Sequence, residues 1–213
     1  MRQQSPGVRV VEYGDDALLI DQLGIGGAAA LRRALLQECE RRGLAVGDVV
    51  PAAASLVVTC HATIRDELHR VVQAVLDEHV TPSDVVGDVV HIAVRYDGDD
   101  LAQVAAATSL TIADVIRLHS SADYQVEFCG FVPGFAYLRG LATELHLPRR
   151  SSPRVRVPAG AVAIASHYSA VYPRESPGGW HLLGTTSLTM WDALRTPPAL
   201  LQPGARVRFV PES

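Results

Sequence analysis

The sequence predicts an α+β fold with two domains, a small N-terminal α+β sandwich at residues 1–87 followed by a β-barrel at residues 88–213. Residues 8–86 alternate short β-branched strands with amphipathic helices, an order typical of a small sheet covered by helices. From residue 124 onward, short apolar runs are separated by proline and glycine, the pattern of a closed β architecture. With 48% hydrophobic and 20% charged residues, the 213-residue chain can bury both cores.

The first domain begins with a predicted β-hairpin, in which residues 8–13 and 17–20 flank a turn at Gly14. Apolar residues at helical spacing over 31–39 then predict a helix. Gly43 predicts the end of that helix, because glycine is favoured just after the last helical residue.

The first domain continues with a strand at residues 56–60 and a second helix. Thr63, which has acids in the next turn, predicts the start of this helix, and Thr81-Pro82 predicts its end. The apolar strand 89–94 leads into the second domain.

The second domain has two predicted short helices before its barrel strands, at residues 99–107 and 111–119. Thr111 and Asp114 have the spacing of a capping box, which supports the second of them. The barrel strands are predicted from apolar runs at residues 161–165, 181–183, 188–191 and 206–210.

The basic residues are all arginine: the chain has 19 of them and no lysine. It therefore cannot carry biotinyl-lysine, form a lysine Schiff base or use a P-loop lysine, so no covalently bound cofactor is expected. Residues 139–213 hold nine arginines against four acids. This excess of positive charge favours an anionic small molecule or an acidic partner, and it is too modest to predict nucleic-acid binding.

Three further features of the sequence concern disulfides, metal binding and localisation. Cys39, Cys60 and Cys129 are far apart in apolar contexts, so no disulfide is expected. The eight histidines lack paired ligand spacing, so no metal is expected. No apolar stretch approaches the roughly 18 residues of a spanning helix and no signal-like segment opens the sequence, so we expect a cytoplasmic protein without a membrane contact.

Two loops carry the candidate ligand-binding residues. Residues 130–138 place Phe131, Phe135 and Tyr137 between two glycines and a proline, which predicts either a stacking surface for a substrate or simply a packed loop. Residues 148–158 hold four guanidinium groups suited to a carboxylate or phosphate, or else to a solvated edge strand. These arginines are Arg149, Arg150, Arg154 and Arg156.

A third loop, at residues 172–181, adds Tyr172 and Trp180 to the candidate binding surface. Glu175 is a candidate general base, or a residue that orients an arginine. His119 is a second candidate for proton transfer, although a histidine at a helix C-terminus also complements the helix dipole. Neither residue belongs to a complete catalytic triad.

The loops of the predicted second domain resemble those of a known family. The chain resembles the family of allophanate hydrolase subunit 1, KipI and the 5-oxoprolinase B subunit, also described as carboxyltransferase subdomains C and D. The matching motifs cover residues from about 88 to 210, in the family's order. They are Leu118-His119-Ser120-Ser121, Gly130-Phe131-Val132-Pro133-Gly134-Phe135-Ala136-Tyr137-Leu138, Pro148-Arg149-Arg150, Pro153-Arg154, Val157-Pro158-Ala159-Gly160, Tyr172-Pro173, Ser176-Pro177-Gly178-Gly179-Trp180 and Pro198-Ala199-Leu200-Leu201-Gln202-Pro203-Gly204.

This resemblance implies a cyclophilin-like second domain and a chain that is inactive alone. The implied partner supplies carboxyltransferase subdomains A and B, as do allophanate hydrolase subunit 2, KipA and the 5-oxoprolinase C subunit, and a lactam-hydrolase subunit is a further possible partner. The complex would be a 5-oxoprolinase, which opens 5-oxoproline to glutamate at the expense of ATP, or a urea or allophanate enzyme.

Two other functions stay open at this point. A KipI-like protein restrains a sensor histidine kinase by protein contact and turns over no substrate. Peptidyl-prolyl isomerase activity follows only from the shape of the barrel. A sensor kinase as partner would indicate the kinase inhibitor, whereas a subunit with subdomains A and B would indicate the enzyme. Activity of the isolated chain on an X-Pro peptide would indicate the isomerase.

Overall fold

The computed structural model describes residues 7–24, 26–78 and 89–212. The chain divides into two compact units, with the division between residues 84 and 85. The predicted domain boundary between residues 87 and 88 lies outside the described residues.

The N-terminal unit is a four-stranded antiparallel sheet in the order β1-β2-β4-β3, packed with two helices. Leu31 and Leu35 of the first helix and Val71 of the second are buried against Leu18 and Val58 of the sheet. The elements are β1 (Arg9–Glu12), β2 (Ala17–Asp21), α1 (Gly27–Arg42), β3 (Val49–Pro51), β4 (Leu56–Thr59) and α2 (Arg65–Asp77).

The C-terminal unit is built on a seven-stranded sheet in the order β12-β9-β10-β7-β6-β13-β5, with a separate two-stranded ribbon of β8 and β11. The helices α3 and α4 connect β5 to β6 along the chain. The elements are β5 (Val89–Val94), α3 (Leu101–Thr108), α4 (Ile112–Ser121), β6 (Tyr124–Cys129), β7 (Ala136–Arg139), β8 (Arg154–Val157), β9 (Ala161–Ala165), β10 (Tyr168–Val171), β11 (Ser176–Gly178), β12 (His181–Thr185) and β13 (Arg206–Pro211).

The seven-stranded sheet closes on itself. Its two edge strands, β5 and β12, are joined by a bridge in which Arg95 and Thr185 exchange backbone hydrogen bonds of 2.9 and 2.8 Å. Closure satisfies backbone groups that an open edge would leave exposed. The enclosed core contains Ile92, Val162 and Phe209, together with residues of α3 and α4. The prediction of an α+β chain with a sandwich followed by a β-barrel is confirmed.

The end of α1 and the start of α4 agree with the sequence prediction, whereas the start of α2 differs from it. Gly43 ends α1 in the left-handed conformation (φ 66°), and the Thr111 side chain accepts a 3.1 Å hydrogen bond from the Asp114 N–H at the start of α4. The predicted start at Thr63 is wrong, because a 3-10 turn capped by His61 comes first and α2 begins at Arg65. The predicted end at Thr81-Pro82 lies outside the described residues.

The predicted strand at residues 188–191 does not form. The segment turns back on itself instead, with Leu200 N–H bonded to Met190 O at 2.8 Å and Asp192 N–H bonded to Pro198 O at 3.0 Å. Pro197 has no N–H to donate to a neighbouring strand, which disfavours a regular ladder here. Among the described residues, no helix alone is long and apolar enough to cross a membrane, although the bent pair of α3 and α4 meets that criterion when the two are counted together.

Candidate functional site

An aromatic cluster covers the face of the barrel sheet that points away from its main core. Along β9, Val162 and Ile164 belong to the main core, whereas Ala161, Ala163 and Ala165 pack against the aromatic cluster. Side chains alternate between the two faces of a strand, so the small alanines leave room for large rings on this face. The cluster also includes Phe128, Phe135, Tyr168, Tyr172 and Trp180.

The five aromatic residues predicted to bind a ligand are brought together in this cluster. The Phe135 ring is at its centre, 5.3 Å from Tyr172, 5.5 Å from Trp180, 5.1 Å from Tyr137 and 5.4 Å from Phe131 between ring centroids. All four contacts are edge-on, the geometry that aromatic quadrupoles favour. Phe135, Tyr172 and Trp180 are buried, whereas Phe131 is 57% exposed.

A pocket of about 280 Å³ opens on this cluster. Seven of the nine predicted binding residues line it, namely the five aromatic residues, Arg149 and Arg150. The remaining lining residues are Pro177 and Gly178 of β11, and Pro153 and Gly179, which flank β8 and β11. The pocket therefore joins an aromatic wall to two guanidinium groups, a combination suited to a small anion with an apolar body.

Backbone contacts fix the loop that carries the two arginines. The Arg150 N–H donates to Gly179 O at 2.8 Å, and the Ser166 N–H donates to Leu147 O at 2.6 Å. His181 Nε2 lies 2.9 Å from Pro148 O. Because three neighbouring residues are held in this way, the loop keeps Arg149 and Arg150 at the pocket.

Asp100 is a buried acid behind the arginines, only 2% exposed and just before α3. Its Oδ1 accepts from Arg150 Nη1 at 2.5 Å and from Arg154 Nη2 at 2.8 Å. Its Oδ2 accepts from Arg154 Nη1 and from the Leu182 N–H, both at 2.8 Å. Burial raises the pKa of Asp100, but the Arg154 and Leu182 hydrogen bonds outweigh burial and hold it below its ordinary value, so the carboxylate is charged.

Two tyrosines of the pocket keep their protons at neutral pH. Burial raises the pKa of Tyr172 to about 12, although Arg149 acts in the opposite direction. Burial also raises the pKa of Tyr137, again opposed by Arg149. Both hydroxyl groups are therefore available as hydrogen-bond donors to a ligand rather than as bases.

Four predicted residues lie outside the pocket lining. Arg154 is bound to Asp100 behind it. Arg156 pairs with Glu175 at 3.1 Å, and both side chains are more than half exposed. The roles predicted for these residues stay predictions, and so does that of His119.

His119 lies in the main core of the barrel, fully buried. Its Nδ1 is 2.7 Å from the Tyr96 hydroxyl, its Nε2 is 2.9 Å from Ser169 Oγ, and its ring stacks on Phe209 at 4.4 Å. Burial lowers the pKa of His119 to about 3, so the imidazole is neutral. His119 could exchange a proton with a ligand in the aromatic pocket only through groups that lie between them.

Sequence reasoning missed Asp100. The residue stands beside Asp99 at the start of a helix, where acids are ordinary because they complement the helix dipole. Nothing in a single sequence distinguishes the buried member of such a pair, since Arg150 and Arg154 approach it only through the fold. In the described ranges, no group of three His, Cys, Asp or Glu side chains is arranged to hold a metal ion.

The sequence matches the profile of the carboxyltransferase domain, subdomain C and D, over residues 8–201. The chain belongs to this family. It is 53% identical over 115 residues to the 5-oxoprolinase B subunit of Escherichia coli O157:H7, an alignment covering 54% of the chain and 53% of that protein. It is 39% identical over 148 residues to the 5-oxoprolinase B subunit of Bacillus subtilis (strain 168), covering 68% of the chain and 62% of that protein. The chain thus spans between about half and two thirds of these curated relatives.

Solved structures share the fold of this chain. The crystal structure of TTHA0988 has a TM-score of 0.77 at 36% identity, covering 92% of this chain and 39% of that one. PH0987 from Pyrococcus horikoshii has a TM-score of 0.58 at 33% identity, covering 96% and 98%. Kluyveromyces lactis urea carboxylase has a TM-score of 0.75 at 18% identity, covering 97% and 22%, and this likeness shows the fold alone.

Proposed function

We propose that this chain is the B-type subunit of a 5-oxoprolinase and that its aromatic pocket binds the substrate carboxylate. The observation that carries the proposal is the pocket that joins Arg149 and Arg150 to a wall of aromatic rings. The relatives named as B subunits of 5-oxoprolinase support the choice of reaction.

The pocket chemistry fits 5-oxoproline, which is a small lactam ring with one carboxylate. The ring packs against Tyr137 and Trp180, and a guanidinium group donates to the carboxylate oxygens. The neutral Tyr172 hydroxyl offers a further donor. A volume of about 280 Å³ is near the lower end for ligand pockets and suits a ligand of this size.

Partner subunits supply the rest of the proposed reaction. The residues that line the pocket include no serine, cysteine, histidine, aspartate or glutamate, so the pocket brings no nucleophile or carboxylate base of its own. We therefore assign ATP use to the complex, with a partner that carries subdomains A and B, of the type of the 5-oxoprolinase C subunit, and a lactam-hydrolase subunit. This chain is inactive alone in that scheme.

The test is to purify the chain together with these two subunits and to measure ATP-dependent glutamate formation from 5-oxoproline. The Arg149→Gln variant should lower kcat/KM at least about tenfold, because it removes a charge-assisted hydrogen bond. Arg174→Gln is the matched control, since Arg174 is exposed on the same domain and does not line the pocket. That control should keep the wild-type rate.

Three results would contradict the proposal. Glutamate formation that is insensitive to Arg149→Gln would remove the pocket from the reaction. Turnover of urea or allophanate in place of 5-oxoproline would move the chain to the other branch of the family. A complex that forms with a sensor kinase, and that turns over no substrate, would favour the KipI-like alternative.

A further inference from the structure

Asp100 connects two arginines that differ in what they can still bind. Both Nη atoms of Arg154 donate to the Asp100 carboxylate, so its terminal donors face the acid. Arg150 uses only Nη1, which donates to Asp100 and to Gln103 Oε1 at 3.2 Å. The Nε of Arg150 is buried and has no hydrogen-bond partner among the described residues. Arg150 nevertheless lines the pocket, and its other terminal nitrogen, Nη2, donates to neither Asp100 nor Gln103, so Nη2 is the donor that a ligand in the pocket can reach.

The Asp100 carboxylate also sets the charge behind the pocket. Three guanidinium groups, those of Arg149, Arg150 and Arg154, surround this end of the site, and one buried carboxylate opposes them. The exposed Asp99 also lies 3.9 Å from Arg154 Nη2, so three positive and two negative charges leave a surplus of one. Asp100 thus holds two like-charged groups close together and leaves enough positive charge to attract an anion.

We infer that Asp100 is a positioning residue, which holds Arg150 through Nη1 so that its Nη2 receives the carboxylate of a small substrate. This inference rests on the proposed carboxylate-binding function of the pocket. Asp100 touches no ligand itself, and it acts by orienting Arg150 before the ligand arrives. A guanidinium group held in place loses less entropy on binding than one that must be ordered by the ligand.

The Asp100→Asn variant tests this inference in the three-subunit complex. The amide removes the charge and most of the acceptor capacity that hold Arg150 and Arg154 together. We expect KM for 5-oxoproline to rise by about tenfold to 100-fold, the effect of one charged hydrogen bond, with kcat changed by less than about threefold. Asp99→Asn is the matched control, because the Asp99 side chain is 78% exposed and 3.9 Å from Arg154.

A second ligand separates positioning from a general loss of structure. 2-Pyrrolidone has the lactam ring of 5-oxoproline without its carboxylate, and its inhibition constant should change by less than about threefold in Asp100→Asn. A structural defect of the pocket would weaken both ligands. The double variant Asp100→Asn/Gln103→Glu offers Arg150 an anionic acceptor from its other neighbour and should return KM to within about threefold of wild type.

The outcomes separate this inference from the proposed function. An unchanged or lowered KM in Asp100→Asn would overturn the inference. It would mean that the positive charge of the arginines binds the substrate whether or not Asp100 holds Arg150 in place. If Arg149→Gln also had no effect, the proposed function would fail with it. If Asp100→Asn does not assemble, the double variant decides, since a KM still raised tenfold would contradict the role of Asp100.

Discussion

His119 and Asp100 are both buried, yet His119 is neutral and Asp100 is charged. Asp100 is surrounded by donors that stabilise its anion, so it stays charged although it is only 2% exposed. His119 has Tyr96 and Ser169 as neutral neighbours, and burial therefore keeps its ring uncharged. The charge of a buried group depends on its partners, which the sequence does not reveal.

The neutral state of His119 predicts a pH dependence of stability. The pKa is about 3 in the folded chain and about 6.5 when unfolded, so the unfolded chain binds the extra proton between these values. The resulting stability is complete above about pH 6.5 and declines as the pH falls toward 3. Between about pH 6.5 and 5, the free energy of unfolding should fall by about 1.5 kcal/mol more in wild type than in His119→Gln.

Chemical denaturation of the two proteins at several pH values measures this difference. His91→Gln is the control, because His91 is an exposed histidine on a strand of the same barrel. It should retain the wild-type slope. Equal slopes in wild type and His119→Gln would show that His119 is not kept neutral by burial.

At the scale of elements, the short connection before α3 is as important to the site as the helix itself. Gly98 N–H donates to Leu183 O at 3.1 Å, and Asp100 N–H donates to Leu182 O at 3.1 Å. A Cβ atom on Gly98 would lie 2.4 Å from Leu182 O and from the Leu183 carbonyl carbon. Only glycine allows this close approach to β12, which places Asp100 behind Arg150.

We therefore expect Gly98→Ala to lower the free energy of unfolding by about 1–3 kcal/mol, the usual effect of overpacking. The same variant should raise KM for 5-oxoproline, because the Asp100 carboxylate is displaced with the backbone. Gly130→Ala is the control, since an added Cβ there meets no atom within 4 Å. Thermal unfolding and steady-state kinetics measure both effects, and an unperturbed Gly98→Ala would contradict the tight approach to β12.

Elements with a clear local signal were predictable from the sequence, and those that depend on distant partners were not. The strands around Val162 and Val207 and the end of α1 at Gly43 follow from periodicity and glycine chemistry. The apolar run at 188–191 looks like a strand, yet it forms only an isolated bridge at Trp191. Strand formation needs a partner, which composition alone does not supply.

At the scale of the whole molecule, the sequence predicted which residues line the pocket, but it did not predict how their side chains pair. The aromatic loop and the arginine loop are far apart in sequence, but both reach the same face of the closed sheet. Arg154 and Arg156 belong to the same motif as Arg149, yet one pairs with Asp100 and the other with Glu175. Period-two alternation of β8 does not predict these different partners.

Calorimetric titration of the assembled complex measures whether the pocket binds the carboxylate of a small lactam. Titrations with 5-oxoproline and 2-pyrrolidone compare two ligands that differ by the carboxylate. We predict that wild type binds 5-oxoproline at least about tenfold more tightly than 2-pyrrolidone and that Arg149→Gln reduces this preference. Equal affinity for the two ligands, or a preference that survives in Arg149→Gln, would show that the pocket does not bind the carboxylate.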